Sequence, residues 1–179
     1  MLTIYKASAG SGKTYTLTYE YIKLLMGEKI HGSDKYKLRK NPDGEHEAIL
    51  AITFTNKATE EMKSRIIREL AILAELPVMG NEKSPYLKDL KNLFGCSDDE
   101  LKECANKVLG QLLFDYLYFN VSTIDSFFQN VLRTFAFEAD MTGDYDVELS
   151  DDIVIQAGVS EMFNAINYNN DDVHSKRMV

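Results

Sequence analysis

The sequence predicts an α/β domain: a parallel β-sheet flanked by helices, with additional helical segments. Three observations carry this. Short β-type runs alternate with amphipathic helical patterns as far as residue 137. The run 48–54, Ala-Ile-Leu-Ala-Ile-Thr-Phe, is almost continuously apolar, as in a strand covered on both faces. A Gly/Ser-rich segment joins the first β-type run to the first helix, a place where α/β folds present ligands.

The elements follow in order. Residues 2–5 form a short β-type run, and the Gly/Ser segment 7–12 leads into a helix from Lys13 to Gly27. Leu17, Tyr21, Leu24 and Leu25 fall on one face of that helix. Residues 30–47 read as a polar loop closed by the turn signal Asn41-Pro42-Asp43-Gly44. Its cations Lys35, Lys37, Arg39 and Lys40 read as a solvated face. After the strand 48–54 comes a helix over 57–76, with Ala58, Met62, Ile66, Leu70 and Leu73 as its apolar stripe. Residues 84–93 predict a short helix. Ser97 with Glu100 three residues on is a capping box for a helix reaching about Tyr118. A strand over 120–124 and a helix over 126–137 follow, with Phe127, Phe128, Val131, Leu132 and Phe135 facing inward. Residues 138–150 are an acidic connector, and 153–167 are the last predicted helix.

Composition narrows the class. The 179 residues are 45% hydrophobic and 27% charged, ordinary values for a globular domain. No apolar run reaches membrane-spanning length and no leader is evident, so neither a membrane span nor a signal peptide is expected. Cys96 and Cys104 form no disulfide framework, which points to a reducing, cytoplasmic setting. With His31, His46 and His174 they show no close spacing, so no zinc site is expected. The net charge of −8 is unevenly spread: residues 1–70 hold 12 basic and 9 acidic side chains, the remainder 8 and 19. Global charge argues against an indiscriminate nucleic-acid binder, and any polyanion should meet the N-terminal part.

Ala7-Ser8-Ala9-Gly10-Ser11-Gly12-Lys13-Thr14 is a P-loop between a β-type run and a helix. A polyphosphate is met by inward-pointing backbone N–H groups at the positive end of a helix dipole. Gly10 and Gly12 let the backbone approach closely. Lys13 places an ammonium at the β- and γ-phosphates, and the Thr14 hydroxyl ligates Mg²⁺. Ala7 stands where the motif usually opens with Gly. Lys13 and Thr14 are the catalytic candidates, and residues 7–14 the binding site for ATP and Mg²⁺. Tyr15, in the first turn, is expected to pack on the sheet.

Two further strings narrow the field. Thr53-Phe54-Thr55-Asn56-Lys57-Ala58 leaves a strand and enters Glu60-Glu61-Met62-Lys63. It resembles motif Ia of superfamily 1 DNA helicases of the UvrD/Rep type. Ser122-Thr123-Ile124-Asp125-Ser126-Phe127-Phe128 looks like their motif Ib. The opening Ala-Ser-Ala-Gly and the continuation Gln129-Asn130-Val131-Leu132-Arg133 look most like the RecB/AddA branch of helicase–nuclease subunits.

The resemblance implies a RecA-like motor that hydrolyses ATP while moving 3′ to 5′ on single-stranded DNA, in double-strand break repair and recombination. It implies nucleotide and Mg²⁺ contacts from Gly10 to Thr14, and DNA contacts from Phe54, Thr55, Asn56, Lys57, Thr123 and Ser126. Asp125 departs from the family, where His is common. An acidic side chain repels a phosphate, so Asp125 is left to accept a hydrogen bond from a base or to cap the following helix. Two placements are open for Phe54: stacked against a base at the strand end, or buried against the next helix.

Hydrolysis also needs a Walker B carboxylate and a second one to orient water. Neither these, nor an arginine finger, nor an upstream Gln motif is found in the sequence. Asp151-Asp152 follows a run too polar for a central strand. The expectation is an N-terminal piece of a larger motor without turnover of its own. Residues 1–137 are the first part of the ATP-binding motor domain, and 138–179 the acidic connector and the start of a helical insertion. A nuclease partner subunit or a downstream nuclease domain is expected, and no membrane. Two other readings stay open from the residues alone. One is a small self-contained P-loop phosphotransferase, a kinase, although the five Arg supply no lid. The other is a non-catalytic ATP-binding module.

Overall fold

The computed structural model describes residues 3–5, 12–136, 152–153 and 155–163. The chain divides into two compact units, Met1–Thr134 and Phe135–Val179.

In the first unit, helix α1 (Lys13–Met26) begins after Gly12 and ends at Gly27. A side chain at position 27 is excluded, because a Cβ there would lie 2.4 Å from the Phe94 ring and 2.7 Å from the Lys23 carbonyl oxygen. The chain then forms an antiparallel hairpin of β1 (Gly27–Lys29) and β2 (Tyr36–Leu38). The polar-loop expectation missed this hairpin, whose strands are only three residues long and whose apolar alternation is confined to Tyr36 and Leu38 of β2, which pack against the core. Ion pairs flank it: Lys29–Asp34 at 2.9 Å, Lys37–Glu28 at 2.6 Å, and Arg39 with Glu45 at 2.8 Å just beyond it. Lys35, Lys37 and Lys40 are exposed, as a solvated face requires.

A 3-10 turn, Glu45–Ala48, precedes β3 (Ala51–Thr53), and α2 (Asn56–Leu73) follows. Then come α3 (Leu87–Phe94), α4 (Asp98–Phe114), a 3-10 turn at Tyr116–Tyr118, β4 (Val121–Thr123) and α5 (Ile124–Ala136). The capping box forms as expected. Glu100 N–H donates to Ser97 Oγ at 3.3 Å, and Ser97 N–H donates to Glu100 Oε2 at 2.8 Å. That donor holds the Glu100 carboxyl below the usual carboxylate range.

β3 and β4 pair in parallel, with Ala51 opposite Val121 and Thr53 opposite Thr123. The fold is therefore helix-rich around a small parallel sheet, an α/β arrangement more modest than the sequence predicts. Thr3 to Tyr5 carry no strand: Ile4 is 76% exposed, and the Tyr5 hydroxyl donates to Glu20 Oε1 at 3.1 Å. Among the described residues the parallel sheet has two strands, and the 48–54 run is not buried along its length. Its first residue belongs to the 3-10 turn, and Ile52 is 45% exposed.

The core lies between helices. Ile22, Leu25 and Met26 of α1, Ile66 and Leu70 of α2, Leu90 of α3, and Leu101, Ala105 and Leu112 of α4 are all buried. The α2 stripe is as expected, with Ala58 half-buried. On α1 the buried face is Thr18, Tyr21, Ile22, Leu25 and Met26, while Leu17 and Leu24 are exposed. The stripe turns because α1 packs on α2 and α4 rather than on a broad sheet. For the same reason Tyr15 meets Tyr86, ring centroids 4.5 Å apart, and not the sheet. Phe128, Leu132 and Phe135 of α5 are each 55% exposed, against the inward face expected. Burial pushes the Cys104 thiol up to about 12, and both cysteines are free.

Residues 138–150 lie outside the described residues. In the second unit, 155–163 are helical, within the helix expected over 153–167. No described helix is long and apolar enough to cross a membrane.

Candidate nucleotide and nucleic-acid site

Ala7, Ser8, Ala9, Gly10 and Ser11 lie outside the described residues, so the geometry of the P-loop begins at Gly12. Gly12 has φ +81°, a left-handed conformation that only glycine adopts at no steric cost. Its carbonyl accepts from Thr16 N–H at 2.9 Å and closes the first turn of α1. No side chain caps the start of α1, and its first turn holds no acidic residue. The first turn itself thus brings no carboxylate to the positive end of the dipole. Lys13 is exposed at the first helical position, and Thr14 is half-buried at the second. A backbone left-handed at Gly12, a cation and a hydroxyl at one uncapped helix start fit a polyphosphate with its Mg²⁺.

The second cluster is built by β3, β4 and the helices they feed. Thr55 is the N-cap of α2, its Oγ1 accepting from Ala58 N–H at 3.2 Å. Thr53 Oγ1 lies 2.6 Å from Thr59 Oγ1 and donates to the Thr55 carbonyl at 3.2 Å. Thr59 is absent from the residues the sequence singles out. Its signal was available: a hydroxyl one helical turn after an N-cap hydroxyl can reach back to that carbonyl. These bonds fix the turn that carries Phe54, which is 86% exposed. Burial of Phe54 against the following helix is thereby overturned. Asn56 and Lys57 are exposed at the start of α2, again with no acidic residue in the first turn.

On the adjacent strand, Thr123 is buried. Its Oγ1 accepts from Ser126 N–H at 3.2 Å and lies 2.9 Å from Ser126 Oγ. Thr123 therefore caps α5, a role offered to Asp125, which instead sits exposed in the first turn where the dipole favours an acid. Ser126 is exposed. Because Thr53 and Thr123 are in register, the turns after β3 and β4 leave the sheet side by side. The cluster combines an exposed aromatic, an ammonium, hydroxyls, an amide and the α2 N-terminus, whose first turn has no acid, with Asp125 as the acid in the first turn of α5. That set suits a flexible chain of phosphates and bases.

Comparison with known proteins decides the family. The model of the UvrD/REP helicase N-terminal domain matches residues 3–178. The chain belongs to the UvrD/REP helicase family. The RecB subunit of the RecBCD enzyme from Buchnera aphidicola (from Acyrthosiphon pisum) is 31% identical over 161 residues, 87% of this chain and 12% of that protein. The Escherichia coli K12 RecB subunit is 32% identical over 139 residues, 76% of this chain and 11% of that protein. An ATP-dependent helicase/nuclease subunit of Lactobacillus johnsonii is 30% identical over 142 residues, 79% of this chain and 8% of that protein. The chain thus spans about a tenth of the length of these curated relatives. A UvrD/REP helicase domain related to helicase–nuclease proteins accounts for nearly the whole chain. The phosphotransferase reading finds no support beside it.

Proposed function

We propose that this chain is the ATP-binding N-terminal part of a 3′–5′ DNA helicase or translocase of the RecB/AddA kind, acting with a nuclease on double-strand breaks. In this reading residues 1–137 are the first part of the motor domain and 138–179 open a helical insertion. Gly10 to Thr14 hold ATP, with Thr14 on Mg²⁺. Phe54, Thr55, Asn56 and Lys57 face single-stranded DNA, and Ser126 completes that surface beside the Thr123 cap. The nuclease is a partner subunit or a downstream domain.

The observation that carries the reading is the parallel register of β3 with β4, which puts two family motifs side by side with Phe54 in solvent. Lys13 would neutralise phosphate charge, and the N–H groups of α1 would orient it. At the second cluster, Phe54 would stack without reading sequence, and Lys57 with the α2 amides would meet one phosphate. With a net charge of −8, this attraction is local and screened by salt. The chain alone is expected to turn over no ATP, since no paired carboxylates or arginine finger have been located in it.

The test is anisotropy of a labelled single-stranded oligonucleotide across a salt series. Wild type should bind weakly, and affinity should fall with salt. Lys57→Ala should flatten the dependence by about one phosphate contact, a slope change of ~0.7 for a single strand. An unchanged slope would remove Lys57 from the DNA surface.

A further inference from the structure

We propose that His46, Glu47 and Asp115 form a binding site for a divalent transition-metal ion of the Zn²⁺, Mn²⁺ or Co²⁺ class, separate from the nucleotide's Mg²⁺. One ring nitrogen of His46 and one carboxylate oxygen each from Glu47 and Asp115 lie within 4.8 Å of one another. The residues come from two places: His46 and Glu47 from the 3-10 turn before β3, and Asp115 from the C-cap of α4. Sequence spacing could not show this, because 68 positions separate Glu47 from Asp115 and only the fold closes them.

Two features point to a cation. His46 is 2% exposed, and its Nε2 is buried with no hydrogen-bond partner among the described residues. A buried imidazole without a partner is costly, and coordination is one way to satisfy it. The carboxylates are the second feature. Asp115 sits at the negative end of the α4 dipole, with another carboxylate beside it. Among the described residues no Lys or Arg pairs with either one. Two like charges at a negative pole are relieved by a positive ion between them.

The donor set selects the ion. One imidazole and two carboxylates suit borderline ions better than Mg²⁺ or Ca²⁺, which favour all-oxygen shells. Ligands ~2.0–2.2 Å from one ion stand about 3–3.5 Å apart, so binding needs only a small inward movement of flexible carboxylates. Three protein ligands leave an open position for water. His46 and Glu47 precede β3, and Asp115 precedes β4, so the site lies at the entry end of the parallel pair. Asn120 already ties these segments, donating to the Glu47 carbonyl at 3.0 Å and accepting from Ala51 N–H at 2.9 Å. A metal there would clip the same two segments together, at the end of the sheet opposite the Phe54 and Ser126 turns.

Titration with Co²⁺, read by visible absorption, tests this together with thermal unfolding in Zn²⁺ or EDTA. Expected are one equivalent bound, a Tm that rises with Zn²⁺ and falls back in EDTA, and a Kd at least tenfold weaker in Asp115→Asn. Glu103→Gln, an exposed acid on the same helix, should bind as wild type does. His46→Asn should also lose binding; if it fails to fold, Asp115→Asn decides. The proposal is overturned by the absence of a metal-dependent Tm shift, by equal affinity in wild type and Asp115→Asn, or by a Co²⁺ signal that survives Asp115→Asn and is lost in Cys96→Ser.

Discussion

Lys13→Ala is expected to weaken Mg²⁺-ATP binding by about ten- to a hundredfold while leaving the fold intact. In the proposed reading the Lys13 ammonium meets the β- and γ-phosphates. A hydrogen bond to a charged group contributes ~1.5–3 kcal/mol, and each 1.4 kcal/mol is a factor of ten. The fold should be spared because Lys13 is exposed at the first position of α1 and alanine is the best helix former. Titration with a fluorescent ATP analogue, alongside far-UV circular dichroism, measures both. Equal affinities in wild type and variant would leave residues 7–14 as a glycine-rich turn without a ligand.

Leu112→Ala should cost about 2–5 kcal/mol of stability. Leu112 is fully buried in the last turns of α4, within the cluster that joins α4 to Ile66 and Leu70 of α2. Its loss leaves a cavity at the contact that holds α2, and α2 carries Thr55, Asn56 and Lys57 at its start. Such a loss is a large fraction of the ~5–15 kcal/mol that stabilises a typical domain. The neighbour Leu113, 52% exposed, is the control: Leu113→Ala should change stability by no more than about 0.5 kcal/mol. Urea unfolding resolves the two through a shifted midpoint at unchanged slope. Equal shifts at 112 and 113 would mean that the core does not lie between α2 and α4.

Legibility in the sequence followed the range of the interactions. The capping box at Ser97 and Glu100 is local, and so is the Met62, Ile66, Leu70 and Leu73 stripe; both appear where the pattern puts them. Features set by distant partners were less legible. The 48–54 run reads as a doubly covered strand because its residues are apolar, yet coverage depends on the distant elements that pack on each face, and Ile52 is 45% exposed. The β1–β2 hairpin was hidden because its strands are three residues long and only Tyr36 and Leu38 of β2 reach the core, too short an alternation to stand out among charged neighbours. In the candidate site, motif spacing picks out Gly12, Lys13, Phe54, Lys57 and Ser126, all of which lie at the surface. The cap supplied by Thr123 was not legible, since it becomes evident only once the turn has formed, whereas Thr59 carried a local signal that motif spacing passes over.

In the proposed reading the turns after β3 and β4 grip single-stranded DNA, with Phe54 as the stacking aromatic. The most direct measurement is the affinity of a labelled single-stranded oligonucleotide for wild type and Phe54→Ala at low salt, by anisotropy. Phe54 is almost fully exposed, so its replacement should not disturb the fold. A loss of about 1–3 kcal/mol in binding, the range of other base–aromatic stacks, is the predicted result. Equal affinity in the two proteins, with circular dichroism unchanged, would contradict it and remove Phe54 from the DNA surface.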